Sequence, residues 1–244
     1  MAKQSHAFIG RGKIYLTPVV NGVEQQEFWV GVASKQTFAH SVTDEKTLYE
    51  YHTPNKNEWD STDGTKEVNV SITLSERRKE AMAAALQATV TTVNTGNVEN
   101  ELHAVSAVGD TFALKYAKVS SVAITDSASP DQPLAENTDY KLDKDFGRIE
   151  MLKDGFTGPL KVSYSYGEAT KLKPMTNSVD HYIVRTEGLN IAGQKERQIV
   201  TAYRVKIKPA NAYELISDDF SGMELEGSCL YDDDKEGTYE IVTL

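Results

Sequence analysis

Successive side chains of a β-strand point to opposite faces, so a run with apolar residues at every second position buries one face and wets the other only as a strand. Three runs in this chain have that period. Val68, Val70, Ile72 and Leu74 alternate with Glu67, Asn69, Ser71 and Thr73. Ile199, Thr201, Tyr203, Val205 and Ile207 alternate with Val200, Ala202, Arg204, Lys206 and Lys208, and Met223, Leu225 and Cys229 with Glu224, Glu226 and Ser228. Further strands are expected at Gly12 to Thr17, Ser34 to Ser41, His181 to Ile191 and Tyr239 to Thr243, which makes the fold mainly β. One helix is expected from Ser75 to Gln87, with Ser75 as N-cap, Glu76 at the positive helix end and Ala81, Met82, Ala85 and Leu86 as a narrow apolar stripe lying on the outside of a sheet.

Between about Asn97 and Lys171 the texture changes. Val119–Thr125, Asp139-Tyr140, Gly147-Arg148-Ile149 and Val162–Tyr166 are short β-like runs separated by Gly, Pro and Asp turns. They read as a small β-sandwich inserted into a host domain. Its flanks, Thr91–Asn97 and Gly167–Pro174, read as linkers. The chain thus divides into a discontinuous host domain, 1–96 and 172–244, and a module, 97–171.

Catalysis needs a nucleophile, base or metal in a fixed constellation, and the sequence offers none. Gly10-Arg11-Gly12 opens a strand with no helix behind it, so it is a turn and not a phosphate loop. His6, His40, His52, His103 and His181 have no mutual spacing, Cys229 is the lone cysteine, and Asp232-Asp233-Asp234 lacks the ligand spacing of a calcium loop. No catalytic residue, cofactor or metal is assigned. No apolar run approaches the ~18 residues of a membrane span, and Met1–His6 carries no apolar signal region, which implies residence in the cytosol.

The net charge of −10 is concentrated at one end of the chain: Glu214 to Leu244 holds ten acidic residues against Lys235, whereas Lys171 to Lys208 holds eight basic and three acidic ones. Opposed stretches of this kind pair within a sheet or across subunits, or remain two solvated faces. Between Val42 and Gly64 lies a long polar stretch with few strand signals that carries Tyr49, Tyr51, His52 and Trp59. A loop of about 20 residues in a compact domain is functional or disordered. Its aromatics favour an ordered partner surface.

The order Gly10-Arg-Gly-Lys-Ile-Tyr-Leu16, a strand at Ser34 to Ser41, an acidic loop with Thr47-Leu-Tyr-Glu-Tyr-His52, the Val68 to Leu74 strand and the Ser75 helix resembles the N-terminal half of siphophage major tail tube proteins. Tyr182–Gly188 and Ile199–Ile207 look like the closing strands of the same proteins. The resemblance covers about 1–96 and 176–244; the inserted module departs from the minimal family pattern.

This resemblance implies a β-sandwich or half-barrel related to the Hcp tube protein of type VI secretion. It implies a non-enzymatic virion protein, made in the bacterial cytoplasm and assembled as six-subunit rings that stack into a tube for DNA. The partners implied are other copies of the chain, a tape measure protein in the lumen during assembly, and tail terminator and distal tail proteins. DNA passes without specific binding. By strand parity Glu67, Asn69, Ser71, Thr73, Arg204, Lys206, Glu224 and Glu226 line the lumen, with Arg204 and Lys206 as cross-strand partners of the glutamates; the same faces would also suit an exterior in bulk solvent. The loop from Thr43 to Asp63 is expected to contact a neighbouring subunit in the next ring through Glu45, Lys46, Tyr49, Glu50, Tyr51, Lys56, Glu58, Trp59 and Asp60. The module is expected on the tube exterior. The alternatives are a ring adaptor that does not polymerise and an adhesin whose module binds carbohydrate.

Overall fold

In a computed structural model, which describes residues 7–105, 107–177, 179–218 and 222–244, the period-two segments become strands and the chain is mainly β with one helix. The first half comprises β1 (Gly10–Val20), β2 (Val23–Glu24), β3 (Phe28–Trp29), β4 (Ala33–Thr43), β5 (Lys46–Tyr49), β6 (Glu58–Thr62), β7 (Thr65–Leu74), α1 (Lys79–Ala85), β8 (Thr89–Val93) and β9 (Gly96–His103). It continues with β10 (Thr111–Ala113), β11 (Val119–Thr125), β12 (Tyr140–Asp143), β13 (Arg148–Met151), β14 (Leu160–Tyr166), β15 (Ala169–Lys173), β16 (His181–Asn190), β17 (Arg197–Lys208), β18 (Met223–Leu230) and β19 (Tyr239–Thr243).

The chain divides into two compact units, 1–89 with 172–244, and 90–171. In the first, a nine-stranded sheet runs β2-β1-β16-β17-β18-β7-β4, with β3 added to β1 and β19 to β17. One face carries Ile14, Leu16, Val70, Ile72, Leu74, Val184, Met223 and Leu225 into a core closed by Ala81, Ala84 and Ala85 of α1. The sheet curls over this core, because β4 at one edge reaches strands that are not its neighbours. Thr186 of β16 donates a hydroxyl bond of 2.9 Å to Gln36 Oε1, and the Phe38 ring stacks on Tyr239 at 5.1 Å. On β18 the core parity falls on Met223, Leu225, Gly227 and Cys229. A Cβ on Gly227 would lie 2.7 Å from Val205 Cγ1, so that position has no room for a side chain.

Two expectations need correction here. The helix starts at Lys79 and not at Ser75. Ser75 N donates to Val32 O at 2.8 Å, and the Glu76 carboxylate accepts from Val32 N at 3.1 Å, so both residues anchor the β3–β4 connection instead of capping a helix. The alternation along β17 is also broken. Tyr182 pairs with Val205 but Val184 with Ala202, so Tyr203 and Arg204 share one opposite residue as a bulge. Ala202 therefore faces the core together with Val205 and Ile207, while Ile199 and Thr201 do not.

The second unit has two three-stranded sheets, β10-β13-β12 and β11-β14-β9. Both feed one core around Ile124, Tyr140, Ile149, Met151, Leu160 and Val162. Its first boundary lies at Val90, earlier than Asn97. The flanks read as linkers contain strands, β8 and β15, that pair with each other. Thr89-Val-Thr-Thr-Val93 is a β-branched run with high strand propensity, which outweighs the turn signal of the Asn and Gly that follow it.

Candidate functional site

Residues 33–74 form one long antiparallel hairpin, and its outer part, 44–64, is an arm beyond the sheet. β4 and β7 pair from Ala33↔Leu74 to Thr43↔Thr65, and beyond them β5 and β6 pair from Lys46↔Thr62 to Tyr49↔Glu58. The polar stretch expected as a loop is thus mostly a hairpin. Most of its length is solvent-exposed on both faces. Gly64 sits where the two ribbons meet, and a Cβ there would lie 2.0 Å from Thr43 O.

The tip, residues 50–57, is organised by Glu50. Its carboxylate is buried in the arm's own turn and accepts from His52 N at 3.1 Å, Thr53 N at 3.0 Å, Asn57 N at 3.2 Å and the Thr53 hydroxyl. His52 Nδ1 lies 3.2 Å away. These donors, the Thr53 hydroxyl foremost, hold the Glu50 carboxyl below its ordinary value of 4.5 against the opposing cost of burial. Glu50, expected among the contact residues, is instead turned into the tip, where its carboxylate shapes the turn. Around it the apolar groups are displayed: Tyr51 is 74% exposed, Trp59 68% and Leu48 57%. Lys56 Nζ stands over the rings of Tyr49 and Tyr51 at 5.4 and 5.3 Å, and His52 meets Trp59 edge-on at 5.7 Å.

Because the folded pKa of Glu50 is depressed, its contribution is present above the ordinary carboxylate value and disappears as pH falls through the lower, folded value. The amides of His52, Thr53 and Asn57 are accordingly expected to lose hydrogen-exchange protection only below pH 4.5. Glu50→Gln should weaken that protection at neutral pH as well. Equal protection in both proteins at pH 7 would mean that the carboxylate does not organise the tip.

A second surface is the sheet's non-core face. The register sets Glu224 opposite Thr73 and Glu226 opposite Ser71, with Asn69 opposite Ser228. Lys206 stands opposite Ser228, and Arg204 opposite Leu230. Together with Glu67, all eight residues assigned by parity share this face. Ser71 Oγ donates to Glu224 Oε1 at 3.0 Å, and Ser228 Oγ bonds to Asn69 Oδ1 at 2.9 Å. Against expectation, neither Arg204 nor Lys206 is the cross-strand partner of Glu224 or Glu226. Lys208 is the cross-strand partner of Glu226, and Lys35 of β4 stands beside Thr73. The place of both lysines on this face is set by the neighbouring strand and its register and not by parity along their own strand alone.

The histidines sit in separate environments. His40 Nε2 bonds to Tyr239 OH at 2.9 Å. His103 and Tyr164 both bond to Glu101, which also accepts from Lys115 N. Burial and this carboxylate push the Tyr164 phenol well above its usual range. His181, part-buried near Arg204, is held below its ordinary value. His6 lies outside the described residues. Asp232 Oδ1 accepts from Asp234 N and Lys235 N in a turn, and among the described residues no three His, Cys, Asp or Glu side chains converge as a metal cage. Among them, too, no helix is long and apolar enough to cross a membrane.

Residues 7–240 match the model of the family described as Protein of unknown function UCP028589, and the chain belongs to that family. No curated protein matches it.

Proposed function

We propose that this member of the family is a structural virion protein, the major tail tube protein of a long non-contractile phage tail, whose copies form six-membered rings that stack around a DNA-conducting lumen. The observation that carries this reading is the two-faced sheet: an apolar face turned into a core, and a polar face whose charges are mixed. A wall that moves DNA must not hold it, and clustered Lys and Arg bind duplex DNA non-specifically with dissociation constants of about 10⁻⁴ to 10⁻⁶ M. Here Lys35, Arg204, Lys206 and Lys208 are interspersed with Glu67, Glu224 and Glu226. The polar face therefore supports a lumen lining.

β4 supports the same reading. It is an eleven-residue edge strand, and joining such edges between subunits removes a site of uncontrolled aggregation. The arm supplies an ordered contact for a neighbouring subunit. A module of about 80 residues is too bulky for several copies to share a lumen that passes duplex DNA, so it is carried outside.

Negative-stain microscopy of the purified chain tests the reading. Tubes or stacked rings are expected. Single rings that never stack would indicate a ring adaptor, and dispersed monomers an adhesin; either result overturns the tube assignment.

A further inference from the structure

We infer that the arm tip is received by a second copy of this chain, on a basic and apolar patch at one end of its sheet formed by Arg11, Lys13, Leu189, Arg197 and Val242. The inference rests on the assembly reading above and names the surface that the arm meets.

Residues 43–63 hold six acidic side chains against Lys46 and Lys56. With Glu50 turned inward, a partner meets Glu45, Glu58 and Asp60 around the exposed Tyr51 and Trp59. The patch has the opposite character. Across β1, β16 and β17 the register gives the row Arg11–Leu189–Arg197, and the next row is Lys13–Glu187–Ile199–Val242. Leu189 is 39% exposed and Val242 41%, while the Glu187 carboxylate is engaged by Arg185 Nε at 3.3 Å. An acidic, aromatic tip and a basic, apolar patch complement one another in both charge and polarity. Two arms laid against each other would set acid against acid. The patch lies on the same non-core face as the mixed wall, at the end of the sheet where the arm leaves β4, and the part of that face formed by β7, β18 and Arg204 to Lys208 offers no comparable excess of positive charge.

β4 and β1 are long strands on opposite flanks of the sheet and run in opposite directions. The arm leaves β4 at the end where Thr43 pairs with Thr65, and following the pairings across the sheet, this is the end at which Gly10 pairs with Asn190. The outer edge of β1 is covered by β3 at Tyr15 and Leu16 and by β2 at Val19 and Val20. Among the described residues the Gly10–Lys13 stretch has no strand on that side. Two copies set flank to flank, β4 beside β1, keep the antiparallel order and bring the arm of one alongside Arg11 of the other.

The test is a charge exchange read by sedimentation velocity, with circular dichroism to confirm that each protein is folded. Glu58→Lys with Asp60→Lys on the arm, and separately Arg11→Glu with Arg197→Glu on the patch, should each weaken self-association at least about ten-fold. The protein carrying all four changes should regain it, and the wild-type association should fall with added salt. Wild-type assembly by either half-reversed protein, or failure of the folded quadruple variant to recover, overturns the inference. Tubes that persist in the half-reversed proteins would leave the tube reading standing without this contact. Limited oligomers that obey the charge exchange but never build rings would leave the contact standing without the tube.

Discussion

Replacing residues 44–64 with an Asn-Gly turn should leave a folded protein that no longer assembles. Thr43 and Thr65 face each other directly, so a two-residue type I′ turn closes the β4–β7 hairpin in its native register. No residue of the first unit's buried core lies in the excised stretch, so the sheet loses no apolar packing. What disappears is the exposed group of Leu48, Tyr49, Tyr51 and Trp59, and aromatics of this kind, once covered by a partner, dominate the energy of protein interfaces. Losing several of them should weaken association more than about 100-fold, enough to abolish rings and tubes at ordinary protein concentrations. Sedimentation velocity and negative-stain microscopy read the outcome. Normal assemblies from the shortened chain would remove the arm from the list of assembly elements.

Leu16→Ala should produce the largest loss of stability among single substitutions on β1. Leu16 is fully buried at the middle of that strand, facing Val184 across β16 and Phe28 on β3. Truncating such a leucine leaves a cavity that rigid neighbours fill only in part, at a cost of about 3–5 kcal/mol. That is a large share of the roughly 5–15 kcal/mol that holds an ordinary domain folded. Both tryptophans, Trp29 and Trp59, belong to the first unit, so their fluorescence during urea unfolding follows that unit. A lower midpoint at unchanged slope is expected. A loss below about 1 kcal/mol would mean that the site relaxes and is not part of a rigid core.

Much of the β architecture is legible in the residues, because strand formation with one wet face is written in a period of two that needs no knowledge of neighbours. Val68 to Leu74 and Met223 to Cys229 carry it without interruption, and both bury the face that their parity indicates. Where the signal is short or polar it fails. β5 and β6 contain Thr, Glu, Asp and Ser, and their pairing comes from being the continuation of the β4–β7 hairpin, not from an apolar face of their own. The helix reads too long for a similar reason. Ser75 and Glu76 are good capping residues, but their groups are used by the Val32 backbone, a partner more than forty positions away.

The candidate surfaces divide in the same way. Parity along β7 and β18 suffices to place Glu67, Asn69, Ser71, Thr73, Glu224 and Glu226 on one side, since side-chain direction along a regular strand is a local property. Which charge stands opposite which is not local. It depends on register, and the register gives Glu226 to Lys208 instead of Lys206. The bulge at Tyr203 and Arg204 depends on the fit of β17 to β16, and the bond from Thr186 to Gln36 on the curl of the sheet over its core. Glu50 makes the point most sharply: by composition it is one more acidic residue in an acidic loop. Only the folded turn, which offers it the amides of His52, Thr53 and Asn57 and the Thr53 hydroxyl, makes burying that carboxylate cheaper than leaving it in water.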